Sequence, residues 1–160
     1  MSNIQFNKDV EAFIHAANKN NLRMLMVGGI AVNYYGYKRH SADIDFWIEP
    51  SKENFHRLLK TLQEIGYKLD SLPDTVKQSE QNISLKISPD FEIELITNFN
   101  PGKTFDQAYQ ESVKIEVKKQ HLLKWNVLSL EDLITSKAKS GRPKDLLDIQ
   151  ELKKINFEKR

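Results

Sequence analysis

Two aspartates, Asp43-Ile44-Asp45, open an apolar run that continues through Phe46-Trp47-Ile48, and they constrain this chain more than any other feature. Residues 43–48 read as a β-strand, with Ile44, Phe46 and Ile48 on one face and Asp43, Asp45 and Trp47 on the other. On a strand the two carboxylates share a face, with Cα atoms about 7 Å apart. Two acids among apolar neighbours invite mutual repulsion and a desolvation cost. The bland explanation is an edge strand with a solvated face. The functional one is a pair of oxygen ligands for a hard divalent cation such as Mg²⁺, which is usually shared with substrate phosphates.

The segment upstream favours the second explanation. Met24 to Val27 reads as a buried strand, and Gly28-Gly29 then turns into a short helix carrying Ala31, Val32 and Tyr35. A Gly-Gly turn after an apolar run can carry a phosphate chain close to backbone N–H groups. A tight strand-to-helix turn accounts for the glycines equally well without a ligand. The turn is neither a G-x-G-x-x-G dinucleotide fingerprint nor a Walker P-loop, since no Gly-Lys-Ser/Thr follows. Lys38 and Arg39 stand just before the aspartate strand, either to meet triphosphate charge or as solvated loop residues. Phosphates beside a carboxylate pair point to metal-assisted phosphoryl or nucleotidyl transfer.

Composition narrows the class. The 160 residues suit one domain spanning 1–160. With 39% hydrophobic and 29% charged residues, the chain is that of an ordinary soluble globular protein. A net charge of +2 does not by itself argue for a nucleic-acid groove, although Lys137, Lys139, Arg142 and Lys144 cluster late. Without cysteine, disulfides, Cys-ligated zinc and thiol catalysis are excluded. His15, His40, His56 and His121 are scattered without zinc-ligand spacing. The N-terminus lacks a charged start followed by an apolar core, and no apolar run approaches the ~18 residues of a membrane helix. A cytoplasmic location without membrane contact is the expectation.

The remaining elements follow from caps and periodicity. Asn7 caps a first helix with Val10, Phe13, Ile14 and Ala17 on one face. Ser51 caps a second with Phe55, Leu58, Leu59, Leu62 and Ile65 inward, ending at Gly66. Tyr67 to Leu69 reads as a short strand and residues 71–81 as a mobile loop. Residues 82–87 and 91–96 form a hairpin across Ser88-Pro89-Asp90, with Glu92 and Glu94 on one face. A short helix near 104–111 precedes strands at 113–117 and 122–127. Ser129 starts a further helix, Gly141 breaks it, and Pro143 opens a last one where its missing N–H costs nothing. Trp47 and Tyr35 read as core. The fold class is α+β, a mixed β-sheet flanked by helices, with a short C-terminal helical segment.

Three stretches, VGGIAVNYYGYKRHSADIDFWI, FEIELIT and SLEDLITSKAKSGRPKDLLDIQEL, together resemble the nucleotidyltransferase superfamily with its polymerase-beta-like fold. Within it, the chain is most similar to small bacterial nucleotidyltransferase-like proteins related to the AbiEii abortive-infection toxins. The resemblance implies that Asp43 and Asp45 hold Mg²⁺, with Mn²⁺ as the alternative, around a nucleoside triphosphate. It selects Glu94 over Glu92 as the third acid, metal ligand and general base, because relatives carry an aspartate followed by two aliphatics where this chain has Glu94-Leu95-Ile96. Ser41 stands where many relatives carry threonine. Gly28 and Gly29 would cradle phosphates and Arg39 would neutralise their charge. Lys137 would contact phosphate, since relatives place a lysine a few residues before the Gly-Arg-Pro-Lys-Asp segment. An Arg–Asp network through Asp145 and Asp148, fastening two helices, is the competing explanation for this last group.

The implied reaction is attack of an acceptor hydroxyl on the α-phosphate of a nucleoside triphosphate, with release of pyrophosphate. The acceptor, whether a tRNA end, a protein side chain or a small molecule, is not legible. One rival is a toxin of a toxin–antitoxin pair with the same chemistry and an antitoxin protein as partner. The other is a catalytically silent nucleotide-binding module.

Overall fold

The computed structural model describes residues 6–39, 43–89 and 91–158. Helix α1 (Lys8–Lys19) starts where the Asn7 side chain accepts from Val10 N–H, as the sequence predicts. Strand β1 (Met24–Val27) is buried throughout and runs into helix α2 (Gly28–Tyr34). Strand β2 (Asp43–Ile48) leads to helix α3 (Lys52–Glu64), whose first turn is capped by Ser51. After the one-turn helix α4 (Asp74–Lys77) come the hairpin β3 (Ile83–Ser88) and β4 (Phe91–Ile96) and helix α5 (Phe105–Gln110). Strands β5 (Val113–Lys118) and β6 (Leu122–Val127) precede helices α6 (Leu130–Ser140) and α7 (Pro143–Phe157).

The strands form a six-stranded mixed sheet in the order β3-β4-β2-β1-β6-β5. β2 is an interior strand, antiparallel to β1 and parallel to β4. That position excludes the edge-strand explanation for its two aspartates. Ile44, Phe46 and Ile48 are buried on one face, where Phe13 of α1 meets Phe46 at 5.9 Å between ring centroids. On the other face Trp47 is covered by Phe99 and Phe105, with centroids 5.1 and 4.9 Å away. At the other end of that face Asp43 and Asp45 are half-buried. Trp47 and Tyr35 are core residues, and the Tyr35 hydroxyl donates to the Leu128 carbonyl. Among the described residues no helix is long and apolar enough to cross a membrane.

Two sequence expectations change. Residues 67–69 are irregular rather than a strand, and Tyr67 and Leu69 are exposed. The expected loop over 71–81 contains α4, anchored by the buried Leu72 and Val76. Two apolar anchors around one turn give no periodicity to detect.

Asn54 is a joint that the sequence does not announce. It is fully buried, accepts from Arg23 N–H at 2.9 Å, and donates to the Arg23 and Glu49 carbonyls at 3.0 Å each. One side chain thus ties the start of β1 and the end of β2 to α3. Asn54→Ala leaves three part-buried backbone groups without this partner and is expected to cost roughly 2–4 kcal/mol in thermal or denaturant unfolding. A cost within 0.5 kcal/mol of zero would contradict this role.

Candidate active site

The site begins where β1 ends. Val27 pairs opposite Asp45, and the next residue, Gly28, turns the chain with φ +70°. That left-handed conformation favours glycine. Space demands glycine as well, because a Cβ at Gly28 would lie 2.1 Å from Asp45 Oδ2. The turn is therefore built against the carboxylate. Gly28 lines a cleft, while Gly29 is buried behind it.

Parallel pairing of β2 with β4 supplies further acids. The register sets Asp43 beside Glu92 and Asp45 beside Glu94. Strand alternation left both glutamates open, and the register distinguishes their neighbours. Glu94 accepts a hydrogen bond from the Ser84 hydroxyl of β3 at 2.5 Å. Glu92 faces Lys86 at 3.8 Å. Burial, and then the charges of Asp43 and Glu94, push the Asp45 carboxyl up to about 6, against the opposing pull of Lys137 and Lys144.

Asp45 and Gly28 line one side of a cleft of about 490 Å³. Lys137, Lys139 and Ser140 of α6 and Asp145 of α7 also line it, together with Arg142 between the two helices and the segment Asn98-Phe99-Asn100. A half-buried acid thus shares a cleft with three cationic side chains. Anions neutralised partly by these cations and partly by an ion at the acids would satisfy both.

The cations have partners of their own. Arg39 Nε and a terminal guanidinium nitrogen donate to the two oxygens of Asp148 at 2.9 and 3.0 Å. Lys137 Nζ lies 2.9 Å from Asp148 and 3.5 Å from Asp145. Arg142 Nε donates to Asp145 at 2.7 Å. Asp145 and Asp148 are almost completely buried. Burial alone would raise the Asp145 carboxyl, but hydrogen bonds from Arg142 and Ser140 and the charges of Lys137 and Arg142 outweigh it and hold it at about 2. The Arg–Asp network expected as an alternative is thus present. It coexists with Lys137 on the cleft wall, whereas Arg39 is absorbed in pairing outside the lining. Ser41 lies outside the described residues. Asp148 carries more of the local organisation than any motif indicated, and its Asp-x-x-Asp spacing from Asp145 was the available signal.

The donor chemistry fits a hard cation. Asp43, Asp45 and Glu94 offer carboxylate oxygens, and Mg²⁺ is usually held by one or two carboxylates with waters and substrate phosphates completing its shell. Among the described residues no three His, Cys, Asp or Glu side chains form a ready cage. Substrate oxygens would therefore have to contribute.

Asp45 makes stability depend on pH. Its folded-state pKa of about 6 exceeds the ordinary 3.8, so the folded state binds this proton more tightly than the unfolded chain. That stabilisation is complete below about pH 4 and lost as pH rises through about 6. Asp45→Asn removes the charge, and is expected to stabilise the protein at pH 8 by roughly 1–3 kcal/mol, the gap closing below about pH 4. Unfolding curves at both pH values measure it, and equal destabilisation at both would contradict the assignment. Gly28→Ala is expected to destabilise at every pH, through strained φ and collision with Asp45.

Comparison with known proteins bears on the fold and the family. The fold is similar to the solved structure of the lincosamide antibiotic adenylyltransferase LnuA in its lincomycin-bound form, with a TM-score of 0.56 and 17% sequence identity, covering 96% of this chain and 100% of that one. No curated protein matches the sequence. A family model described as "Nucleotidyl transferase of unknown function" (DUF2204) matches residues 6–160, and with that match over nearly its whole length the chain belongs to this nucleotidyltransferase family.

Proposed function

We propose that the protein is a Mg²⁺-dependent nucleotidyltransferase that moves a nucleoside monophosphate from a nucleoside triphosphate to an acceptor hydroxyl. The observation that carries this reading is the shared cleft, lined by Asp45 and Gly28 together with Lys137, Lys139 and Arg142. Asp43 and Asp45 are the metal ligands, and Glu94 is the third acid beside them. A divalent ion held by Asp43 and Asp45 would supply Lewis-acid charge at the reacting phosphate. The Gly28-Gly29 turn lets the phosphate chain approach the backbone, and the cationic wall neutralises its charge. Glu94 takes the acceptor hydroxyl's proton as the oxygen attacks the α-phosphorus and the bond to pyrophosphate breaks. Its hydrogen bond with Ser84 is the arrangement it would exchange for the acceptor.

The acceptor is a small hydroxylated molecule, a tRNA end or a protein side chain. LnuA, whose structure holds lincomycin, supports the first of these. A toxin role with an antitoxin partner would use the same chemistry and differ in the acceptor. A silent nucleotide-binding module is favoured by one observation, the engagement of Glu94 by Ser84.

Calorimetry with each nucleoside triphosphate at millimolar Mg²⁺ is expected to show binding, and the same ligands should raise the melting temperature by mass action. Absence of binding for all of them would sink the reading. In a transfer assay Glu94→Gln is expected to cost ~10²–10⁴ in rate with nucleotide affinity little changed, while Glu92→Gln is mild. Binding without turnover in the native chain would identify the silent module. An inactive Glu92→Gln beside a healthy Glu94→Gln would reverse the roles given to the two glutamates.

A further inference from the structure

Asp148 joins two parts of the chain that the proposed reaction needs in register. Arg39, four residues before Asp43, forks onto both oxygens of Asp148, which lies 109 residues later in α7. The same carboxylate receives Lys137 Nζ from α6 at 2.9 Å. The Arg39 backbone N–H is itself held by the Asn33 side chain of α2 at 3.0 Å, so Arg39 is fixed at main chain and side chain together. Asp148 is 1% exposed and Lys137 7% exposed. A buried carboxylate held by a two-pronged guanidinium and an ammonium has little freedom to rotate.

We propose that Asp148 is a positioning residue. It sets the lysine on the cleft wall relative to the strand that carries Asp43 and Asp45, and it does so through Arg39. The proposal rests on the function proposed above for the site itself. Lys137 has three N–H donors, and Asp148 and Asp145 take two of them, which leaves a third for a phosphate oxygen in the cleft that Lys137 lines. Arg39 on this account touches no nucleotide. It links α2, through Asn33, to α7, through Asp148. The simpler alternative makes Arg39 a direct phosphate ligand that Asp148 merely holds while the cleft is empty.

The two accounts predict opposite signs. As a positioning residue, Asp148 is needed for binding, so Asp148→Asn weakens triphosphate affinity by about tenfold. Arg39→Gln weakens it similarly, and the double variant is no worse than either single one, because both break the same link. If Asp148 only restrained a phosphate-binding Arg39, Asp148→Asn would release the guanidinium and tighten binding. Hydrogen exchange over β2, Asp43–Ile48, supplies a readout that needs no nucleotide, and both variants are expected to speed it. Should Asp148→Asn fail to fold, Arg39→Lys carries the test. It keeps the charge, loses the two-pronged geometry, and is expected to reproduce the faster exchange and the weaker binding.

Unchanged exchange in Arg39→Gln and Arg39→Lys would overturn the proposal, as would tighter binding in Asp148→Asn or additive losses in the double variant. A lowered melting temperature with unchanged affinity would reduce Asp148 to a fastener and overturn it too. Native protein that binds no triphosphate would refute the proposed function instead, and the exchange measurement would still decide whether Asp148 links the two segments.

Discussion

The missing side chain at Gly28 is the constraint on which the site depends. β1 leaves the sheet opposite Asp45, and a single Cβ at the turn would collide with the Asp45 carboxylate. With glycine there, backbone and acid share one floor of the cleft. Close approach of main chain to carboxylate is what a phosphate bridged to a metal requires. It also explains why Asp45 is partly desolvated and holds its proton up to about pH 6.

Around that floor the fold arranges charge in two opposed groups. The parallel pairing of β2 with β4 gathers carboxylates on one face of the sheet, and no choice of side chain could gather them without that register. Lys137, Lys139 and Arg142 line the cleft, and Lys137 and Arg142, with Arg39 behind them, pair with the buried carboxylates Asp145 and Asp148. One acid of the sheet, Asp45, thus shares a cleft with three cationic side chains, the arrangement on which the proposed function rests.

Much of this was legible in the sequence, for local reasons. Asn7, Ser51 and Ser129 cap the helices they were expected to cap, because capping depends on a few adjacent residues. The shared face of Asp43 and Asp45 follows from strand geometry alone. What was illegible is long-range. Glu92 and Glu94 could not be told apart because alternation is blind to the neighbouring strand. Lys137, Arg142, Asp145 and Asp148 were recognisable as a charged set, but Arg39 was not joined to it, because its pairing with Asp148 spans 109 residues and depends on how α7 packs. Asn54 had no signal, since a buried amide bonding to backbone has no sequence period. The helix at Asp74–Lys77 was missed because tertiary anchoring by Leu72 and Val76, rather than propensity, forms it.

The central claim is that this cleft transfers the α-phosphoryl end of a nucleotide. The most direct measurement uses two nucleoside triphosphates of the same base, one labelled at the α-phosphate and one at the γ-phosphate. Each is incubated with the protein, Mg²⁺ and a cell lysate. The account predicts acceptor labelling from the α-labelled nucleotide and label in released pyrophosphate from the γ-labelled one. Acceptor labelling from the γ-phosphate would show phosphoryl transfer in place of nucleotidyl transfer and contradict it.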